Sequence, residues 1–551
     1  MLPWALRNNT APVPGFGRLL GTVLAARGVS EPERLLNPRE CGLPENAEKA
    51  AALIKGAKKV MIAGDYDCDG LCGTAILLRA LKMLHKPAVY SVPSRERGYG
   101  FHKDAVDGAV FSKCDLIVAV DCGVSSQDTI DYAVSKGIKV IVADHHHYDV
   151  PPKKCVLVHP KGHENPSLCG AGVAYKIVRA MGLPEYPFLQ LAAIATLADA
   201  ANLTEGNRAI VRKGLSQAPL QGTKALLDRA NAKLNPESVC YQIAPRINAA
   251  SRVDEPEAAL KLLMADDPRT AAELAYRLDS LNEERKSIVD RALSLCGPDP
   301  VVMLDAPVGV VGIVAGRLSE ILGVPAAVLT LSGRGSARAP EGYSLIDALK
   351  KCPSVQKFGG HDCAAGFEID PKNFDAFREE FLRSVEIGPY FLEIDASLGF
   401  MPSPEEVQEL QKIGPFGPGN PEPLFLYRGT ASVEKREKFC RVSVGPLCGI
   451  LFNKDASWFH GRKIAVVGSL QVSDYTGSVE SLIKDMRLDV HISRNFLVQA
   501  YKALREEKTL PDVPAVKVAL KIFRELDIEH ARVRRNLFAS KTYRRYALEI
   551  R

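Results

Sequence analysis

Three short acidic signals in this 551-residue chain each follow an apolar run: Asp65-Tyr66-Asp67-Cys68-Asp69-Gly70, Asp121-Cys122-Gly123 and Asp144-His145-His146. Carboxylates gathered at that density repel one another unless a cation sits among them. Carboxylates mixed with one or two imidazoles favour Mn2+ or Mg2+ over a structural thiolate zinc site. Two such ions close together suit hydrolysis of a phosphoester, where they activate water and neutralise charge on phosphorus. The spacing of Asp65, Asp67 and Asp69 also imitates the start of an EF-hand loop. That reading fails, because Ile76 stands where the loop needs a bidentate Glu and an apolar β run precedes the string. Asp121 by itself is an ordinary helix cap, and the run His145-His146-His147 by itself is ordinary for a solvated surface. Their common setting gives them meaning.

That setting is the edge of a sheet. The runs ending at Gly64, Val120 and Ala143 read as strands, and parallel strands present their carboxyl ends on one edge. Between about 51 and 160 the order is strand 59–64, helix 71–84, strand 87–92, strand 115–120, helix 126–136, strand 138–143 and strand 155–159. Such alternation marks a doubly wound α/β sheet. Residues 170–265 read as mostly helical. Asp267 as cap and Pro268 as first residue then open a long helix running to Leu295, about 40 Å at 1.5 Å per residue. Its apolar register of Leu274, Leu278, Leu281, Ile288, Ala292 and Leu295 is interrupted by Arg285. A second α/β block follows, with strand 300–305, helix 311–322 and strand 326–331. The stretch Pro415-Phe416-Gly417-Pro418-Gly419-Asn420-Pro421 is a turn-rich joint. Short β runs over 428–487 then suit an OB-type β-barrel, with sparse aromatics at Phe439, Phe452, Trp458, Phe459 and Tyr475. The expected organisation is a mostly helical lead-in over 1–50, a first lobe over 51–265, a connector helix over 266–297, a second lobe over 298–392, a barrel over 393–490 and a C-terminal helical region over 491–551.

Composition sets outer bounds. At 46% apolar and 25% charged residues the chain is of ordinary globular type. No apolar run reaches the roughly 20 residues that span a bilayer, and the start lacks the layout of a secretory signal. The 13 cysteines are scattered without a CxxC pair, which points to reduced thiols in a cytoplasmic setting rather than to a disulfide framework. The net charge of +6 is matched by the C-terminal tail alone, where Arg532, Arg534, Arg535, Lys541, Arg544, Arg545 and Arg551 face one Glu549. A polyanion contact and a solvated helical tail are both open there.

The three acidic motifs resemble those of the DHH phosphoesterase family. The resemblance extends through Ser167–Lys176, the Asp199 of Ala195–Asp199, Pro245–Ala250, Gly309–Arg317, Gly359-Gly360-His361 with Ala364-Ala365-Gly366, and the joint up to Phe425, covering roughly residues 50–425. It implies two α/β lobes of DHH and DHHA1 type joined by the long helix, plus the OB-type barrel and the C-terminal helices. It also implies a two-ion site for Mn2+ or Mg2+ and, in the branch it most resembles, a 5′→3′ exonuclease acting on single-stranded DNA. Carried over by position, Asp65, Asp67, Asp69, Asp121, His145 and Asp199 would hold the ions. His146 would contact the scissile phosphate or move a proton, with Asp144 beside it as a catalytic group. Arg95, in the stretch Ser94-Arg95, would touch phosphate. Ser336 and Arg338 would seat the terminal 5′-phosphate, with Arg252 or Arg246 adding to the same pocket. Gly359, Gly360 and His361 would bring backbone amides near a phosphate.

Ser251 before Arg252 and the stretch Val253-Asp254-Glu255-Pro256 depart from the family pattern, while every ion-ligand position is filled. That argues against a degenerate, non-catalytic scaffold. The rival reading, a phosphodiesterase of short oligonucleotides or cyclic dinucleotides, predicts no use for the barrel or the tail. Expected partners are single-stranded DNA, a single-strand-binding protein and a helicase, with no membrane.

Overall fold

The computed structural model describes residues 3–7, 11–386, 391–452, 454–473, 476–490, 492, 494–506, 510–511, 513–526, 540–546 and 548–550. The chain divides into two compact units, one formed by Asn37–Glu386 with Pro415–Asn420, the other by Met1–Leu36, Ile387–Gly414 and Pro421–Arg551. It opens on a short strand, β1 (Trp4–Leu6), which belongs to the second of these.

In the first unit five parallel strands, β2 (Val60–Gly64), β3 (Ala88–Ser91), β4 (Leu116–Val120), β5 (Lys139–Ala143) and β6 (Val156–Val158), lie in the order β3-β2-β4-β5-β6. β2 and β4 are buried along their whole length, as a sheet covered on both faces requires. Alternate residues go to opposite faces: Ile62, Val118 and Ile141 join one core, and Met61, Ile117 and Val140 join the other. Gly64 pairs with Val120 and Val120 with Ala143, so the residues that follow leave three neighbouring strands on one rung. The chain turns in opposite directions after β2 and β4, which makes their shared end the switch point of the sheet.

A helix over Lys103–Phe111 was not anticipated between β3 and β4. It is short, and its inner stripe is Ala105, Val106 and Ala109, too small to give a strong helical period against Asp104, Asp107 and Gly108. The Gly170–Ala180 helix packs against the sheet, and the Phe188–Ala198 helix, apolar and almost entirely buried, packs on it and on the Cys68–Met83 helix. The connector forms over Pro268–Ser294, with Asp267 accepting a hydrogen bond from Thr270 N at 2.7 Å as its cap. Beyond it the second lobe carries β7 (Val301–Leu304), β8 (Ala326–Thr330), β9 (Arg334–Arg338), β10 (Val355–His361) and β11 (Ala364–Ile369), ordered β10-β11-β9-β8-β7. Only β7 and β8 are parallel; the remaining pairs are antiparallel. The turn-rich joint packs back on this unit, where Pro418 O accepts Leu203 N at 2.6 Å.

The other unit contains β12 (Leu392–Ile394), β13 (Ala396–Ser397), β14 (Phe425–Lys435), β15 (Phe439–Val444), β16 (Leu447–Phe452), β17 (Lys463–Val472), β18 (Val479–Leu488) and β19 (Leu548–Ile550). Strand order β14-β15-β16-β18-β17 with β14 pairing again to β17 closes a five-stranded barrel. β1 pairs in parallel with β12 and β19, so the lead-in is neither mostly helical at its start nor undivided: residues 1–36 belong with the barrel and 37–50 with the first lobe. The helices Arg494–Arg505, Pro514–Glu525 and Lys541–Tyr546 form the C-terminal region. Tyr475 and the tail residues Arg532, Arg534, Arg535 and Arg551 lie outside the described residues. Among the described residues no helix is long and apolar enough to cross a membrane.

Candidate metal centre and phosphate pocket

The turn after β2 is fixed by its own carboxylates. Asp67 caps the Cys68–Met83 helix, its Oδ1 accepting from Asp69 N at 2.9 Å and Gly70 N at 3.1 Å. Asn248, far along the chain, accepts Cys68 N at 2.9 Å and holds the turn from outside. Asp69 accepts Gly170 N and Ala171 N, each at 2.7 Å, and so sits at the positive end of the Gly170–Ala180 helix. Gly170 has no room for a side chain, since a Cβ there would lie 2.6 Å from Asp121 Cβ.

Asp121 leaves β4 with φ at +61°, a left-handed conformation that a non-glycine residue adopts at a cost. This aims its carboxylate into the switch point, where His145 Nε2 lies 3.2 Å from Asp121 Oδ1, 3.7 Å from Asp69 Oδ2 and 3.9 Å from Asp199 Oδ2. Asp199 arrives from the C-terminal end of the Phe188–Ala198 helix. Ligand atoms fall into three overlapping groups, each within 4.8 Å: Asp65, Asp67 and Asp121; Asp69, His145 and Asp199; and Asp121, His145 and His146. All six residues expected to hold ions are therefore brought together.

The donor set fits divalent cations. Asp65 Oδ1 and Asp121 Oδ1 are buried without a hydrogen-bond partner, which is costly for a carboxylate unless an ion takes the lone pair. Burial, then mutual repulsion, pushes the Asp65, Asp69 and Asp121 carboxyls up, and pushes Asp199 up to about 8. Burial holds the His145 imidazole below its ordinary value, in the neutral form that ligates.

His146 stands beside the cluster with Nδ1 bonded at 2.9 Å to Asp144 Oδ1 and at 2.9 Å to Tyr99 Oη. Burial would lower its pKa, but the bond and charge of Asp144 outweigh this and raise it. Asp144, expected among the catalytic groups, stands directly behind His146. Its fully buried carboxylate accepts Val124 N, His145 N and His146 N as well as the imidazole, so it orients His146 from behind. His159 Nε2 completes that support on His146 O at 3.0 Å. Tyr99 and His159 were not foreseen, and Asn248, although it lies within the Pro245–Ala250 motif, had been given no role there.

Next to the ion cluster the two lobes meet over guanidinium groups. Arg95 Nε donates to Ser251 Oγ at 3.0 Å, and Arg252 Nη1 donates to the Gly309 carbonyl of the second lobe. Arg338 Nη1 donates to Ser336 Oγ at 2.6 Å, and both line the start of the Val308–Leu322 helix at Gly312. Burial, then the fields of Arg95, Arg285 and Arg338, depress Arg252 to about 9. Among the described residues none of Arg95, Arg252, Arg285 and Arg338 forms a close ion pair with a carboxylate; their bonds go to neutral oxygens, an arrangement suited to an anion. Arg285, seen only as a break in the apolar register of the connector, belongs to this group, and its buried Nε has no partner. Arg246 does not: its Nε is committed to Asp279 Oδ1 at 2.9 Å, so of the two only Arg252 stands among these guanidinium groups. Gly359, Gly360 and His361 lie on the exposed edge strand β10, with Gly359 and His361 two strands from Ser336 and Arg338 on the same rungs.

Family profiles match in three places: the DHH family, N-terminal domain, over residues 59–199, the DHHA1 domain over 301–386, and the RecJ OB domain over 394–485. Single-stranded-DNA-specific exonucleases RecJ are similar along the chain. The Thermus thermophilus protein is 36% identical over 72% of this chain and 63% of its own length, so the chain spans less than two thirds of that relative. The Bacillus subtilis protein is 30% identical over 88% of this chain and 68% of its own, and the Escherichia coli protein 31% identical over 86% and 96%. A solved exonuclease RecJ bound to manganese is 34% identical with a TM-score of 0.54, covering 62% of this chain and 94% of that one. The Thermus thermophilus RecJ crystal structure, 24% identical, shares the fold with a TM-score of 0.77 over 99% of this chain and 98% of that one. Fold and site thus define a phosphoesterase of the DHH class with a DHHA1 lobe and an OB barrel. Within that class, the chain belongs to the RecJ family.

Proposed function

We propose that the chain is a metal-dependent exonuclease that hydrolyses single-stranded DNA from its 5′ end and releases 5′-mononucleotides. The observation that carries this reading is the meeting, at one sheet edge, of orphaned buried carboxylates with an unneutralised guanidinium group contributed by both lobes. Bound Mn2+ or Mg2+ would activate water and neutralise charge on the scissile phosphate. Asp65, Asp67, Asp69, Asp121, His145 and Asp199 would hold the ions in place. His146, fixed at Nδ1, keeps Nε2 for the scissile phosphate. Arg95 and Arg252 would hold the backbone, and Ser336 with Arg338 would seat the terminal phosphate and set polarity. The barrel would bind single-stranded DNA by stacking and charge. A phosphodiesterase of short oligonucleotides or cyclic dinucleotides has no use for a closed barrel. A cytoplasmic setting, with a single-strand-binding protein and a helicase as partners, is the expected context.

The test is digestion of end-labelled single-stranded DNA with Mn2+, comparing the parent with Asp121→Ala and comparing 5′-phosphate with 5′-hydroxyl ends. Nucleotide release from the 5′ end by the parent alone is expected. Equal activity in Asp121→Ala, or release from the 3′ end, overturns the reading.

A further inference from the structure

The segment between β3 and the Lys103–Phe111 helix touches three parts of the junction within five residues. Arg95 bonds Ser251 and lies over the Tyr66 ring, 4.3 Å from its centroid. The next residue, Glu96, offers its carbonyl to Arg334 Nη1 at 3.0 Å. Three residues on, Tyr99 Oη is 2.9 Å from His146 Nδ1, with ring centroids 4.8 Å apart. His102 Nε2 against Gly98 O at 3.1 Å closes the far end.

Arg334 is the first residue of β9. Strand periodicity puts Arg334, Ser336 and Arg338 on one face, so the strand that carries the phosphate seat also grips this segment. At the other end, a ring nitrogen has one in-plane bonding direction, and at His146 Nδ1 it is shared by Asp144 and Tyr99. Asp144 is rigid in the sheet, whereas Tyr99 belongs to a loop whose course depends on β9. The ring angle of His146 is therefore set partly from the second lobe.

We propose that residues 95–99 form a strap in which Arg334 anchors Glu96 and Tyr99 positions His146, coupling the seating of a terminal phosphate on β9 to the alignment of the reacting phosphate. The proposal rests on the nuclease reading above. Tyr99 is a positioning residue, acting through His146. A displacement of an ångström or less at the reacting phosphate is enough to slow turnover without weakening binding.

The experiment is steady-state digestion of 5′-phosphorylated single-stranded DNA with Mn2+ by the full chain and four variants. Tyr99→Phe removes one hydroxyl from a ring that is 42% exposed, so the core is untouched. Its kcat is expected to fall roughly ten- to a hundredfold with KM within about twofold of the parent. Arg334→Ala is expected to lower kcat in the same way, and Arg334→Lys, which can still donate to a carbonyl, to recover part of it. Tyr99→Phe with Arg334→Ala is expected to be no slower than Tyr99→Phe alone, because both break one strap. Losses that multiply in the double variant overturn the strap, as does parental kcat in Tyr99→Phe, or a rise in its KM alone. A parent that releases no nucleotide instead overturns the nuclease reading itself.

Discussion

The Asp199 carboxyl is pushed up to about 8, chiefly by burial and then by Asp69 and Asp67. An unfolded aspartate titrates near about 3.9. The metal-free folded chain thus keeps a proton that the unfolded chain has released. The stability this confers is complete below about pH 4 and is lost as pH rises through about 8. A divalent ion held by Asp199 with Asp69 and His145 would take the place of that proton. Thermal unfolding should accordingly show a Mn2+-induced rise in Tm that grows between about pH 6 and about pH 8, and Asp199→Asn should flatten the growth. Asp144 gives a different signature, since it supports His146 from behind. Asp144→Asn leaves the carbonyl acceptor but removes the charge, and should lower nuclease activity by about 10- to 100-fold while the fold persists.

At the scale of elements, the Gly170–Ala180 helix is the one on which the ion cluster leans. Its first two amides bind Asp69, and its first residue lies against Asp121. Gly170→Ala must push the helix or Asp121 aside, so the Mn2+-dependent rise in Tm should shrink and activity should fall with it. Much of this architecture was legible in the sequence because fully buried parallel strands leave unbroken apolar runs, and because the acidic residues directly follow them. The connector was legible from Asp267-Pro268 and a long helical period. What escaped were contacts between segments with no shared spacing, such as Asn248 to Cys68 or Tyr99 to His146. Arg246 and Arg252 looked equivalent because both are arginines six residues apart on one motif. Only the three-dimensional partner, Asp279, separates them.

At the scale of the whole molecule, the barrel-containing unit is assembled from three stretches of chain. β1 supplies its N-terminal part, with Trp4 fully buried, its Nε1 bonded to Asp485 at 3.1 Å and Arg487 over its ring at 3.6 Å. Three residues of strand carry too little pattern to be recognised, although they tie the N-terminus to Leu392–Ile394. Trp4→Ala should destabilise this unit by about 3–5 kcal/mol, seen as an earlier denaturant midpoint. The Mn2+-dependent Tm shift, which belongs to the other unit, should be retained.

The left-handed backbone at Asp121 implies a conflict between durability and use. Replacing Asp121 by glycine would relax a conformation costing on the order of 1–3 kcal/mol and remove one member of a self-repelling group. Selection for heat resistance alone, carried out without Mn2+, would therefore favour Asp121→Gly and drift toward a sturdier but inert protein. Keeping aspartate there means tolerating a built-in weakness, and that weakness marks where the chemistry is done.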